Sequence, residues 1–111
     1  MSVLKLMRRK IMAKKIDGVI EAVRYKNGQI VMVRAYERRG PTFSDRVLLE
    51  RKTLLDRLKK GQLYITGSRE ELLASTFKNG KSVLLVTQDG HDLLATNANA
   101  TRDELEDAPL F

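Results

Sequence analysis

Cysteine is absent from this chain and histidine occurs once. Without thiols there is no disulfide, no thiolate metal site and no cysteine nucleophile. A lone imidazole excludes a histidine cluster for zinc. Long hydrophobic runs are missing too: runs such as "VLLV" at 83–86 fall far short of the roughly 18 residues a membrane span needs. The opening MSVLKLMRRKIM has too short an apolar core for a secretory signal. The expectation is therefore a cytoplasmic protein with no membrane partner. No glycine-rich dinucleotide loop, serine elbow or paired-carboxylate constellation is found, and "TGSR" at 66–69 lacks the second glycine and the lysine of a phosphate-binding P-loop. His91, in "DGHD", has only Asp89 and Asp92 beside it and is read as a turn residue. Neither enzymatic activity, a metal nor a cofactor is expected.

What is present is positive charge, unevenly spread. The 111 residues carry a net charge of +7. Residues 1–23 hold six basic side chains against two acidic ones, residues 24–60 eleven against four, and residues 61–111 four against eight. The length is that of one domain, enough to bury roughly two-thirds of the unfolded surface in a single core. The division expected is a basic arm over 1–15, one β-rich domain over 16–100 and an acidic segment over 101–111. "MAKKIDG" from Met12 looks like a start in its own right, so residues 1–11 are expected to be dispensable for folding.

Three dipeptides punctuate the chain: Asn27-Gly28, Asn79-Gly80 and Asp89-Gly90. Each lies between β-rich runs and supplies the positive φ angles of a two-residue type I′ turn, so each predicts a hairpin. The first pairs 17–25 with 30–38; the others build a meander of 72–77, 82–87 and 91–96. Further strands are expected at Leu63–Thr66 and Arg46–Leu49. Between these two, "ERKTLLDRLKKG" places Leu54, Leu55 and Leu58 on one helical face, with Gly61 as the C-terminal cap. "SREE" at 68–71 fits a capping box, leaving 69–75 open as a helical turn. "TRDE" at 101–104 fits the same box and suggests a short C-terminal helix. The fold class is α+β, mostly β: a small bent antiparallel sheet or partly open barrel of five to six strands with one short helix.

In register from its turn, the first hairpin sets Glu21 opposite Arg34 and Val19 opposite Tyr36, with apolar residues on both faces. Cover on both sides could come from barrel closure, the helix or a second subunit, so a homo-oligomer is one expectation. Beyond the strands, "YERRGPTFSDR" interleaves Arg38, Arg39 and Arg46 with Tyr36 and Phe43 around a Gly-Pro turn. Arginines for phosphates and rings for base stacking suit a sequence-tolerant single-strand binder. The competing reading is a solvated loop with Phe43 in the core. The basic helix residues Arg51, Lys52, Arg57, Lys59 and Lys60 need no ligand, and their other reading is an extension of the loop's positive surface, with the lysines assisting.

The chain ends "DELEDAPLF". These nine residues resemble the acidic, Pro-Phe-ended tail of bacterial single-stranded-DNA-binding proteins. That resemblance implies recruitment of a protein partner through Pro109, Leu110 and Phe111. Leu110 intervenes between the proline and the phenylalanine, and the tail's usual linker is missing. The other reading has Leu110 and Phe111 packing onto the domain. The functional expectation is a non-enzymatic β-rich module that binds RNA or single-stranded DNA through Tyr36, Arg38, Arg39, Phe43 and Arg46. The alternative is a protein-interaction or self-assembling module.

Overall fold

A computed structural model describes residues 16–69, 77–106 and 108–111. The basic arm and the 70–76 segment, with its alternative helical turn, lie outside the described residues. β1 (Gly18–Lys26) turns through Asn27-Gly28 into β2 (Gln29–Arg39). Both turn residues have positive φ, 53° and 79°, as a type I′ turn requires. β3 (Thr42–Phe43) and β4 (Val47–Glu50) follow, and β4 runs directly into α1 (Arg51–Lys59). Next come β5 (Tyr64–Arg69), β6 (Phe77–Ser82), β7 (Leu84–Gln88) and β8 (His91–Ala95). The principal sheet is open and curled, in the order β3-β2-β1-β5-β6, with β4 also on β2; β7 and β8 form a separate ribbon.

One pairing departs from the antiparallel expectation: β5 runs parallel to β1 over Gly18–Ile20. Parallel neighbours need a crossover, and the helix supplies it. The chain leaves on β4 at one edge of the hairpin, crosses on α1 and returns as β5 at the other edge. Gly61, at φ 85°, ends the helix. The Gln62 amide bonds to the Arg57 carbonyl and the Gly61 amide to Leu58, the Schellman arrangement.

The first hairpin is not in simple register. Its pairs slip between Ile20 and Ala22 on β1 and between Arg24 and Tyr25, which leaves Glu21 and Val31 as extra residues on opposite strands. The two bulges compensate, so Val19 still faces Tyr36. They also correct the phase of the side chains. Ile20 and Val23, and likewise Ile30 and Val33, are three residues apart, yet all four enter one core. A strand of strict period two could not do this; one extra residue in each strand allows it. That core also takes Leu54 from α1, Tyr64, Val83, Leu94 and Leu105. A smaller cluster of Val19, Tyr36 and Ile65, flanked by Ile16 and Phe43, lies on the opposite face. Both apolar faces of the hairpin are thus covered within a single chain: Val19, Val23, Ile30 and Tyr36 are all buried.

The Asn79-Gly80 hairpin expected from sequence does not form. β6 runs straight through that dipeptide and pairs with β5, Gly67 opposite Asn79 and Ile65 opposite Ser82. Between those pairs β6 carries one residue more than β5. Gly80 is the close approach at this bulge: a Cβ there would sit 2.1 Å from Thr66 Oγ1 and 2.6 Å from the Thr66 carbonyl oxygen. Glycine is required here for space, not for a turn.

The C-terminal helix is also absent. The Glu104 amide bonds to the Leu94 carbonyl and the Thr96 amide to the Glu104 carbonyl, so this backbone extends the β8 ladder. The Asp103 side chain is committed elsewhere, accepting the Ile30 amide at 2.7 Å and the Leu94 amide at 3.1 Å. The acidic segment is stitched into the domain rather than capping a helix of its own.

Candidate nucleic-acid interface

Along β2 successive side chains alternate, so Arg34, Tyr36 and Arg38 share the face opposite Val33, Ala35 and Glu37. Tyr36 is the buried centre of that face. Its hydroxyl donates to Glu21 Oε2 at 2.6 Å. The other carboxylate oxygen of Glu21 takes Arg34 Nε at 3.0 Å and Arg46 Nε at 2.9 Å. Arg46 Nε also reaches the Tyr36 hydroxyl at 3.0 Å. Toward the hairpin turn, the Arg34 and Arg24 guanidiniums face the Phe111 ring at 5.0 and 4.5 Å. Toward the other end, Arg38 lies over Phe43 at 4.7 Å and donates to the Ile16 carbonyl at 2.7 Å.

Contacts therefore join four arginines and three aromatic residues across one face. Among the described residues the one side-chain carboxylate that pairs with any of these arginines is Glu21. Arg46 and Arg34 keep 62% and 37% of their side chains in solvent, so both remain accessible to a ligand.

Ionisation within the cluster is coupled. Burial works against the charged form of Glu21, but the Tyr36 hydroxyl and the Arg46 and Arg34 guanidiniums outweigh it and hold its carboxyl below the usual range. Burial raises the Tyr36 phenol, and its hydrogen bond to Glu21 raises it further. The bond to Tyr36 and the charge of Glu21 raise Arg46, which stays protonated at any accessible pH.

The sequence-derived site residues divide under this geometry. Arg38 with Phe43, and Arg46 with Tyr36, come together on the outer face. Tyr36 is only 2% exposed, so its ring is closed to a base. Phe43 is half-buried against the smaller core, beneath Arg38. Arg39 is 65% exposed and 3.5 Å from Glu37, and with Arg38 it borders an open depression of about 450 Å³ that Arg57 and Tyr64 also line. Arg57 pairs with Glu37 and donates to the Tyr64 hydroxyl at 3.0 Å, so the charges there largely offset one another. In the helix, Arg51 pairs with Asp103 and Lys59 with Asp92 at 3.2 Å, while Lys52 and Lys60 are exposed.

Sequence reasoning misses Arg24, Arg34 and Phe111 as site residues. It gives Arg34 only a cross-strand bond with Glu21, which Arg34 does make. Membership of a row is legible in the i, i+2, i+4 spacing of Arg34, Tyr36 and Arg38. Arg24 and Phe111 carry no such signal, because their contact spans 87 residues.

No family model, curated protein or solved structure matches this chain. Among the described residues no three His, Asp or Glu side chains gather where a metal ion could be held, and His91 is exposed. Nor is any described helix long and apolar enough to cross a membrane.

Proposed function

We propose that this protein is a non-enzymatic module that binds single-stranded nucleic acid, RNA or DNA, by its phosphates along the outer face of the first hairpin. The observation that carries the reading is the gathering of Arg24, Arg34, Arg38 and Arg46 on one face with Glu21 as their one side-chain carboxylate partner among the described residues. Four planar donors with a net positive field suit phosphate oxygens. The aromatic contribution expected from Tyr36 is withdrawn, because that ring is buried. Recognition is accordingly electrostatic and tolerant of sequence. Self-assembly through the hairpin's apolar rows draws less support, since those rows are already covered within one chain.

Fluorescence anisotropy with labelled single-stranded oligonucleotides tests the reading. Affinity should fall steeply between about 50 and 200 mM salt and vary little with sequence. Replacing Arg38 and Arg46 with alanine should reduce the slope of log affinity against log salt by roughly 1.4 to 1.8, at about 0.7 to 0.9 per phosphate contact. Absence of binding to RNA and DNA at the lower salt sinks the reading.

A further inference from the structure

β5 accompanies β1 only from Gly18 to Ile20. Beyond the Glu21 bulge that edge of β1 has another occupant, the chain's own last residues. The Val23 amide donates to the Pro109 carbonyl at 2.9 Å, and the Phe111 amide to the Val23 carbonyl at 3.1 Å. Leu110 thus forms a parallel bridge with Val23. Arg24 Nε donates to the Phe111 main-chain oxygen at 3.2 Å, and the Phe111 ring is faced by the Arg24 and Arg34 guanidiniums. This is strand addition: backbone bonds supply adhesion and one aromatic position supplies specificity.

The segment is held on β1 by the Val23 backbone bonds and by Arg24. Upstream it joins the core through Leu105 and Ala108, and beyond them Leu110 is 71% exposed. A short strand that joins the rest of the fold through backbone pairing is the kind of element that copies of a protein exchange.

We infer that the β1 edge at Val23, with Arg24 and Arg34, is a docking slot for an extended aromatic-bearing strand, and that its partner is the same terminal segment of a second copy. The slot accepts in trans what it holds in cis. Intramolecular occupancy dominates in dilute solution, because attachment to the same chain gives the segment a millimolar effective concentration. Exchange becomes visible when cis pairing is disabled. The inference does not depend on nucleic-acid binding.

The test uses two full-length variants, Phe111→Ala, which keeps the slot but lacks the ring, and Arg24→Ala, which keeps the ring but weakens the slot. Arg24 is chosen because Arg34 also pairs with Glu21. Thermal melting first establishes that each variant folds; if Arg24→Ala does not, Arg24→Lys removes the planar stack and keeps the charge. In sedimentation velocity each variant alone should be monomeric. An equimolar mixture should contain at least about fivefold more dimer than either variant alone. An amidated peptide of residues 103–111 should dissolve that dimer, and the same peptide with alanine for phenylalanine should not. A mixture that stays monomeric at several hundred micromolar overturns the inference. If the peptide binds Phe111→Ala while the mixture stays monomeric, the second-copy assignment is equally overturned, and the slot belongs to a foreign strand.

Discussion

Arg51 closes on Asp103 across 52 residues of chain, its guanidinium fork set against a carboxylate with no exposed surface. The same guanidinium donates to the Ile30 and Asp92 carbonyls, each at 2.8 Å, while the carboxylate accepts the Ile30 and Leu94 amides. One ion pair thus ties the start of α1, the first hairpin, β8 and the acidic segment together. Removing one partner leaves the other buried and unpaired. Asp103→Ala should cost about 3–5 kcal/mol in chemical denaturation. Replacing both residues with apolar ones of similar volume should recover much of that loss, because buried pairs are often no better than good packing.

The Tyr36–Glu21 pair makes stability depend on pH in opposite senses at the two extremes. Glu21 has a lowered folded value, so its contribution is present above the unfolded carboxyl range near 4.3 and is lost as pH falls below it. Tyr36 has a raised folded value, so its contribution is complete below about 10 and disappears as pH rises through the folded value. Melting curves of the wild type and of Glu21→Gln should therefore converge at low pH. Absorbance titration should show one of the three tyrosines ionising later than in Tyr36→Phe, where that late phase is gone.

Phe43→Ala separates a structural ring from a stacking one. Because Phe43 is half-buried in the smaller core, the change should lower stability by roughly 2 kcal/mol. Oligonucleotide affinity at low salt should change by less than about threefold, since loss of a base-stacking ring would cost about 1–3 kcal/mol of binding. Stability unchanged with binding abolished would return Phe43 to the interface.

Gly28→Ala and Gly80→Ala should both destabilise, for different reasons. Gly28 has φ 79° and nothing within 4 Å of where a methyl would stand, so alanine there costs backbone strain of about 1–2 kcal/mol. A D-alanine introduced at 28 by chemical synthesis should restore stability, because it favours that φ. At Gly80 the methyl meets Thr66 side chain and backbone, and overpacking of about 1–3 kcal/mol is expected. Truncating the Thr66 side chain should relieve only part of this, since its carbonyl oxygen lies 2.6 Å away.

Local chemistry determined what the sequence could show by itself. Asn27-Gly28 and Asp89-Gly90 form tight turns because the backbone needs positive φ there, and Gly61 ends α1 for the same reason. The mostly-β class and the two-sided burial of the first hairpin follow from β-rich runs with apolar residues on both faces. Tertiary structure decided the rest. Asn79-Gly80 has the composition of a turn yet lies in a strand, because Thr66 needs a residue without a side chain against it. The parallel β1–β5 pair depends on where α1 returns the chain. The spacing of Arg34, Tyr36 and Arg38 shows part of the arginine row, but the bulges at Glu21 and Val31 have no local pattern, and Phe111 reaches Arg24 from 87 residues away. Turn angles and caps belong to two or three neighbouring residues and can be read from them. Bulges, crossovers and long-range contacts are fixed only when distant segments compete for the same core and the same backbone bonds.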